Sequence, residues 1–121
     1  MTKKDKISSS TKTGSHHWIM QRFSAIALIP LCIWLVLSVF QIIHDPFNYM
    51  PIFFAYPINT LMGILFIIFS LYHGTLGMTV IIEDYIHDKV KKYFYIILIN
   101  FISIVTGIAA IIAILRLHLI G

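Results

Sequence analysis

Three long apolar stretches alternate with short polar ones along the chain. Lys, Arg, Asp and Glu are absent from Phe23 to Ile43 (21 residues), Pro57 to Ile82 (26) and Tyr93 to Leu115 (23). At about 1.5 Å of rise per helical residue, each window matches or exceeds the roughly 30 Å hydrocarbon core of a bilayer. None of the windows shows the period-two alternation or the short length of a barrel strand. The pattern predicts an all-α integral membrane protein with three transmembrane helices, over about 23–43, 57–82 and 93–115.

Composition then closes off the soluble alternative. Of 121 residues, 59% are hydrophobic and only 12% are charged, too oily a balance for a small water-soluble domain. The first 17 residues, MTKKDKISSSTKTGSHH, are the exception, being polar and rich in Lys and Ser. They lack the apolar core of a secretory signal, and they lack the Arg content and apolar helical face of a transit peptide. Residues 1–17 are therefore expected as a mobile basic tail able to lie on anionic lipid, followed by a three-helix membrane domain over 18–121.

The basic residues set an orientation. Lys3, Lys4, Lys6, Lys12 and Arg22 precede or open the first span, the first connection (His44 to Tyr56) has no Lys or Arg, and the second carries Lys89, Lys91 and Lys92. Only Arg116 falls on the opposite side. The positive-inside rule places the N-terminus and second connection inside and the C-terminus outside. The net charge of +4 is thus a topology signal, and no nucleic-acid partner is expected, since no folded basic face is available.

Few groups remain that could carry chemistry. Cys32, the single cysteine, reads as a small buried hydrophobe in the first span. No phosphate loop, hydrolytic triad or metalloprotease spacing is present. Among six histidines only His73 lies at bilayer depth, where an ionisable group is costly and marks a cofactor, a cavity or an interhelical hydrogen bond. At about 100° per residue, Gly77, Val80 and Asp84 fall within about 40° of the His73 direction, in one stripe. Such a stripe leaves room for a flat group such as a haem edge, or for a closely packed helix. Glu83, Asp84 and Tyr85 end the second span, and Gln21, Arg22 and Ser24 open the first. An acid, a phenol, an Arg and a hydroxyl converging at one level would suit a polar head group with a lipophilic tail, such as a quinone. The same acids and Tyr would equally serve as an interfacial anchor.

The remaining polar and aromatic positions carry structural expectations. Asn100, Ser103 and Thr106 on the third span suit contacts with another chain or packing and back-bonding within this one. Pro30 is expected to bend the first span, Trp18 and Tyr93 to anchor at interfaces, and Trp34 to face lipid or a partner helix.

Two stretches carry a resemblance. HGTLGMTVIIEDY, with His73 followed eleven residues later by Asp84 and then Tyr85, resembles the second helix of the hydrophobic membrane anchor (D) subunits of succinate dehydrogenase, respiratory complex II. HHWIMQRFSAIALIPL is similar to the Arg-x-Ser/Thr-Ala opening of their first helix, with Ser24 where many relatives carry Thr. The resemblance covers about residues 16–90. It implies that His73 is an axial ligand of haem b, whose second ligand comes from the cytochrome b (C) subunit packed against this chain. It implies that Tyr85 hydrogen-bonds ubiquinone and that Asp84 supports the quinone site and its proton delivery. Arg22 matches the arginine at the start of helix 1, a candidate contact for quinone or a haem propionate. The implied partners are the cytochrome b, iron-sulfur and flavoprotein subunits, and the chain is non-catalytic by itself.

The implied setting is a bacterial inner membrane ahead of a mitochondrial one. The competing expectation is a small transporter or channel subunit with His73 and Asp84 as a proton relay.

Overall fold

The computed structural model describes residues 3–121, with side chains from residue 16 onward. Four helices follow in order: α1 (Lys3–Ile42), α2 (Pro46–Ala55), α3 (Pro57–Tyr85) and α4 (Lys89–Ile120). Three stretches are long and apolar enough to cross a membrane: His16–Ile42, Pro57–Tyr85 and Lys89–Ile120, of 27, 29 and 32 residues. The three expected spans are therefore present, each extended beyond its charge-free window. The backbone of α1 is helical back to Lys3, where the pattern placed the start of the first span at Phe23. Between Lys3 and Ile42 the only proline is Pro30, and α1 runs on through it. Met1 and Thr2 lie outside the described residues.

The short helix α2 occupies what the pattern read as a loop. Asp45 caps it, accepting from the Asn48 backbone N–H at 3.4 Å and the Asn48 side-chain amide at 2.7 Å. Pro46 follows at the first helical position, where its missing N–H costs nothing and its φ is already helical. Asp-Pro is a helix-start signal that the apolar windows alone do not reveal. The extended residue Tyr56, followed by Pro57, separates α2 from α3. At the other end, Asp88 caps α4 by accepting from the Val90 N–H at 3.1 Å. The connection between α3 and α4 thus shrinks to Ile86–Asp88, with Glu83, Asp84 and Tyr85 still on α3 and Lys89, Lys91 and Lys92 already on α4.

Side-chain contacts give the register. Thr75 meets Ser103 with hydroxyls 2.8 Å apart, Leu71 lies against Gly107, Ile114 against Gly63, and Thr60 against His118, so α3 and α4 run antiparallel over most of their length. Ser24, midway along α1, meets His73, while Gln41 and Ile42 at its C-terminal end share a pocket with Asn59, so α1 and α3 are antiparallel too. Helix α2 lies across the far end, with Phe53 against Trp34 of α1 at a ring separation of 5.9 Å.

The core is narrow. Leu31, Phe54, Ile82 and Ile114 are the buried large apolar side chains among the described residues. Among the described residues of α1 the buried positions are Ser24, Leu31 and Ser38, spaced by seven, so a single stripe of that part of the helix faces its neighbours. Many of the other apolar side chains are exposed, Phe40 and Phe101 with about two thirds of their surface, and the rest are half-buried. Such a surface is matched by hydrocarbon or by another membrane chain, and every helix satisfies its own backbone as that setting demands.

Cys32 follows from the same geometry and corrects the sequence expectation. It stands beside Leu31, off the buried stripe, and is exposed and free. A bundle that buries one stripe per helix leaves most mid-span positions facing outward.

Candidate functional site

His73 lies in the middle of α3, about 24 Å along the axis from its start and about 18 Å from its end. One face of its ring is held by α1. The Ser24 Oγ is 3.0 Å from His73 Nδ1 and donates to the Gln21 carbonyl at 2.9 Å, and Ser24 is fully buried. The other ring nitrogen, Nε2, has no hydrogen-bond partner among the described residues, and no polar side-chain atom of the described structure is both buried and unpartnered. Nε2 therefore reaches the surface of the chain.

The glycines around the ring distinguish this stretch from the rest of α3. A Cβ added at Gly74 or Gly77 would meet nothing within 4 Å. At Gly63 it would sit 3.1 Å from Phe54 and 3.2 Å from Ile114, and at Gly107 3.1 Å from Leu71. Gly63 and Gly107 are small so that helices can touch. Gly77 borders open space, as the His73 stripe suggested, and Gly74, about 100° round the helix from His73, lines a small pocket with Met78 and with Ile99 and Ser103 of α4. An imidazole nitrogen left without a partner among the described residues, with open space at Gly77 one turn along the same stripe, is a donor and a surface that suit a flat metal macrocycle. Among the described residues no group of three or more His, Cys, Asp or Glu forms a metal site, so any metal held here would take its other ligands from elsewhere.

The remaining candidate residues do not gather at one level. Ser24 stands opposite His73, whereas Asp84 and Tyr85 lie eleven and twelve residues further along α3, about 16 to 18 Å away. The expected convergence of Arg22, Ser24, Asp84 and Tyr85 is thus not formed. Arg22, two residues from Ser24, turns along its own helix with its guanidinium carbon 4.4 Å from the centre of the Trp18 ring. Asp84 and Tyr85 are exposed at the end of α3. Antiparallel register sets them opposite a part of α1 before residue 16, whose side chains lie outside those described.

Residues 2–110 match the succinate dehydrogenase/fumarate reductase transmembrane subunit family. The chain belongs to this family. It is similar to the succinate dehydrogenase hydrophobic membrane anchor subunits of Rickettsia typhi, at 37% identity over 92% of this chain and 89% of the relative. The Rickettsia bellii subunit of that name is 38% identical over the same shares. The succinate dehydrogenase membrane anchor subunit of Reclinomonas americana is 36% identical over 78% of this chain and 81% of its own length. Membership of this family bears out the resemblance to the succinate dehydrogenase membrane anchors.

Other polar groups serve packing within this chain. Asn100 donates to the Ile96 carbonyl at 2.8 Å, and Ser103 pairs with Thr75. Pattern reading missed a second buried node, in which Thr60 Oγ1 donates to the Phe54 carbonyl at 2.7 Å and His118 Nδ1 stands 2.7 Å from the same oxygen. Nothing local in the sequence links residues 54, 60 and 118. A groove of about 1120 Å³ between α2 and α4, bordered by Phe47, Met50, Ala113 and Arg116, lies at this far end, remote from His73.

Proposed function

We propose that this chain anchors a succinate:quinone oxidoreductase in the membrane, supplies one axial ligand of a haem b and forms part of the ubiquinone site. The observation that carries the reading is the mid-span His73, held by α1 on one side and open on the other, in a chain of the succinate dehydrogenase anchor family. His73 would hold the iron through Nε2, and Gly77, on the same stripe, would leave room for the ring edge. Bound there, haem supplies a one-electron carrier within the membrane. One intramembrane imidazole gives one ligand, so the second comes from a partner, the cytochrome b subunit, docked on the open face of α3.

At the end of α3, the Tyr85 phenol donates a hydrogen bond to a quinone carbonyl, and the Asp84 carboxyl passes protons toward the oxygens as they gain charge. Arg22 adds positive charge on the same side of the bundle. A flavoprotein and an iron-sulfur subunit deliver electrons from succinate to this side. The proton-relay alternative is disfavoured, because His73 and Asp84 are about 16 Å apart with Gly77 and Val80 between them on the stripe.

The orientation has the N-terminus and the α3–α4 connection in the cytoplasm and the C-terminus outside, and the Rickettsia relatives support a bacterial inner membrane. The start of α4 strengthens this. Lys89, Lys91 and Lys92 crowd a helix N-terminus, where the macrodipole disfavours cations, so helix electrostatics does not explain them and selection for membrane sidedness does.

Purification of the tagged chain from its native membranes in mild detergent tests the proposal. It should bring down a flavoprotein and an iron-sulfur subunit, with a b-type haem spectrum and succinate-to-quinone activity. A colourless homo-oligomer would refute it.

A further inference from the structure

Beyond family membership, the contact between α1 and α3 points to a specific task for Ser24. We infer that Ser24 is a positioning residue that fixes the ring tautomer of His73, placing the hydrogen on Nδ1 and leaving the Nε2 lone pair for a metal. The inference rests on the reading of His73 as a haem ligand. Its basis is hydrogen counting. The Ser24 hydroxyl has one hydrogen and two close neighbours, the Gln21 carbonyl at 2.9 Å and His73 Nδ1 at 3.0 Å. The carbonyl can only accept.

If the hydroxyl hydrogen pointed to Nδ1, two lone-pair-bearing oxygens would face each other at 2.9 Å with no hydrogen between them. The arrangement that puts a hydrogen into both contacts has Nδ1–H donating to Ser24 Oγ and Oγ–H donating to Gln21 O. In the neutral ring Nε2 then carries the lone pair, and it is the nitrogen without a partner among the described residues.

Burial makes this relay difficult to replace. Ser24 is fully covered, so bulk water has no access to its hydroxyl. Without that acceptor the ring could rotate or take the other tautomer, in which Nε2 bears hydrogen and cannot bind iron. A hydrogen bond donated from Nδ1 also increases the electron donation of Nε2, which favours the oxidised metal. Ser24 therefore bears on both haem retention and haem potential while touching neither the iron nor the quinone.

The test uses the purified complex with haem counted per flavin. Ser24→Ala should lose haem to excess apomyoglobin on the order of 10- to 100-fold more readily than the wild type. It should also show a raised haem midpoint potential, whereas Ser24→Thr, which keeps the hydroxyl, should match the wild type in both. His73→Ala serves as the reference and should lack the haem. If His73→Ala keeps an unchanged haem spectrum, the ligand assignment itself fails. If His73→Ala loses the haem while Ser24→Ala retains wild-type potential and retention, the positioning role is overturned and the ligand assignment stands. Loss of assembled complex in both Ser24 variants would mark the position as packing alone and also overturn the role.

Discussion

The two ends of the bundle use the same residue types for opposite purposes. At the α2 end, His118 and Thr60 converge on the Phe54 carbonyl, and Gly63 is pressed between Phe54 and Ile114. In the half toward Lys89, His73 is likewise tied through Nδ1, to Ser24 of α1, but Gly77 on its stripe borders open space. A histidine and small residues are present in both places. What differs is whether the chain itself fills the space around them. Around Thr60 and Gly63 the contacts close within one polypeptide, whereas the Gly77 position on the His73 stripe borders space that something else must cover.

Substitutions at the glycines should separate the halves most strongly. Gly77→Leu is expected to leave the amount of assembled complex near that of the wild type while removing most of its haem, read as the haem-to-flavin ratio. If haem is unaffected, the open space at Gly77 is not where the cofactor edge lies. Gly63→Leu should do the reverse. Overpacking against Phe54 and Ile114 costs about 1–3 kcal/mol, seen as a lowered Tm of the complex with haem per surviving flavin unchanged.

Smaller effects sharpen the picture. Tyr85→Phe removes one hydroxyl from an exposed position, so it should lower succinate-to-quinone turnover about tenfold, the equivalent of one hydrogen bond, and spare reduction of an artificial acceptor. Equal loss of both activities would indicate an assembly defect. Thr60→Val removes the buried hydroxyl that serves Phe54, at a cost of about 1 kcal/mol in thermal stability, with haem and quinone activity unchanged.

Much of this organisation was legible in the sequence, and the parts that were not have physical reasons. The three spans follow from charge-free windows, because a bilayer penalises charge and demands a fixed length. His73 stood out for the same reason, and helix periodicity put Gly77 on its stripe. Helix α2 was hidden because its signal is the Asp45-Pro46 cap, while its composition continues the apolar pattern on either side.

Interhelical register was less accessible still. Ser24 was visible as part of a motif, but its pairing with His73, 49 residues away, depends on how α1 slides against α3. That slide also separates Asp84 and Tyr85 from Arg22 in depth, which a count along each helix could not reveal. Cys32 turned outward because, among the described residues of α1, the buried stripe is Ser24, Leu31 and Ser38.

The difference between the two histidines is the most direct test of the account. In purified complex, the dithionite-reduced minus oxidised spectrum should lose its b-type haem bands in His73→Ala and keep them in His118→Ala, with the flavoprotein present in both. Haem retained in His73→Ala, or lost in His118→Ala with assembly intact, would contradict it.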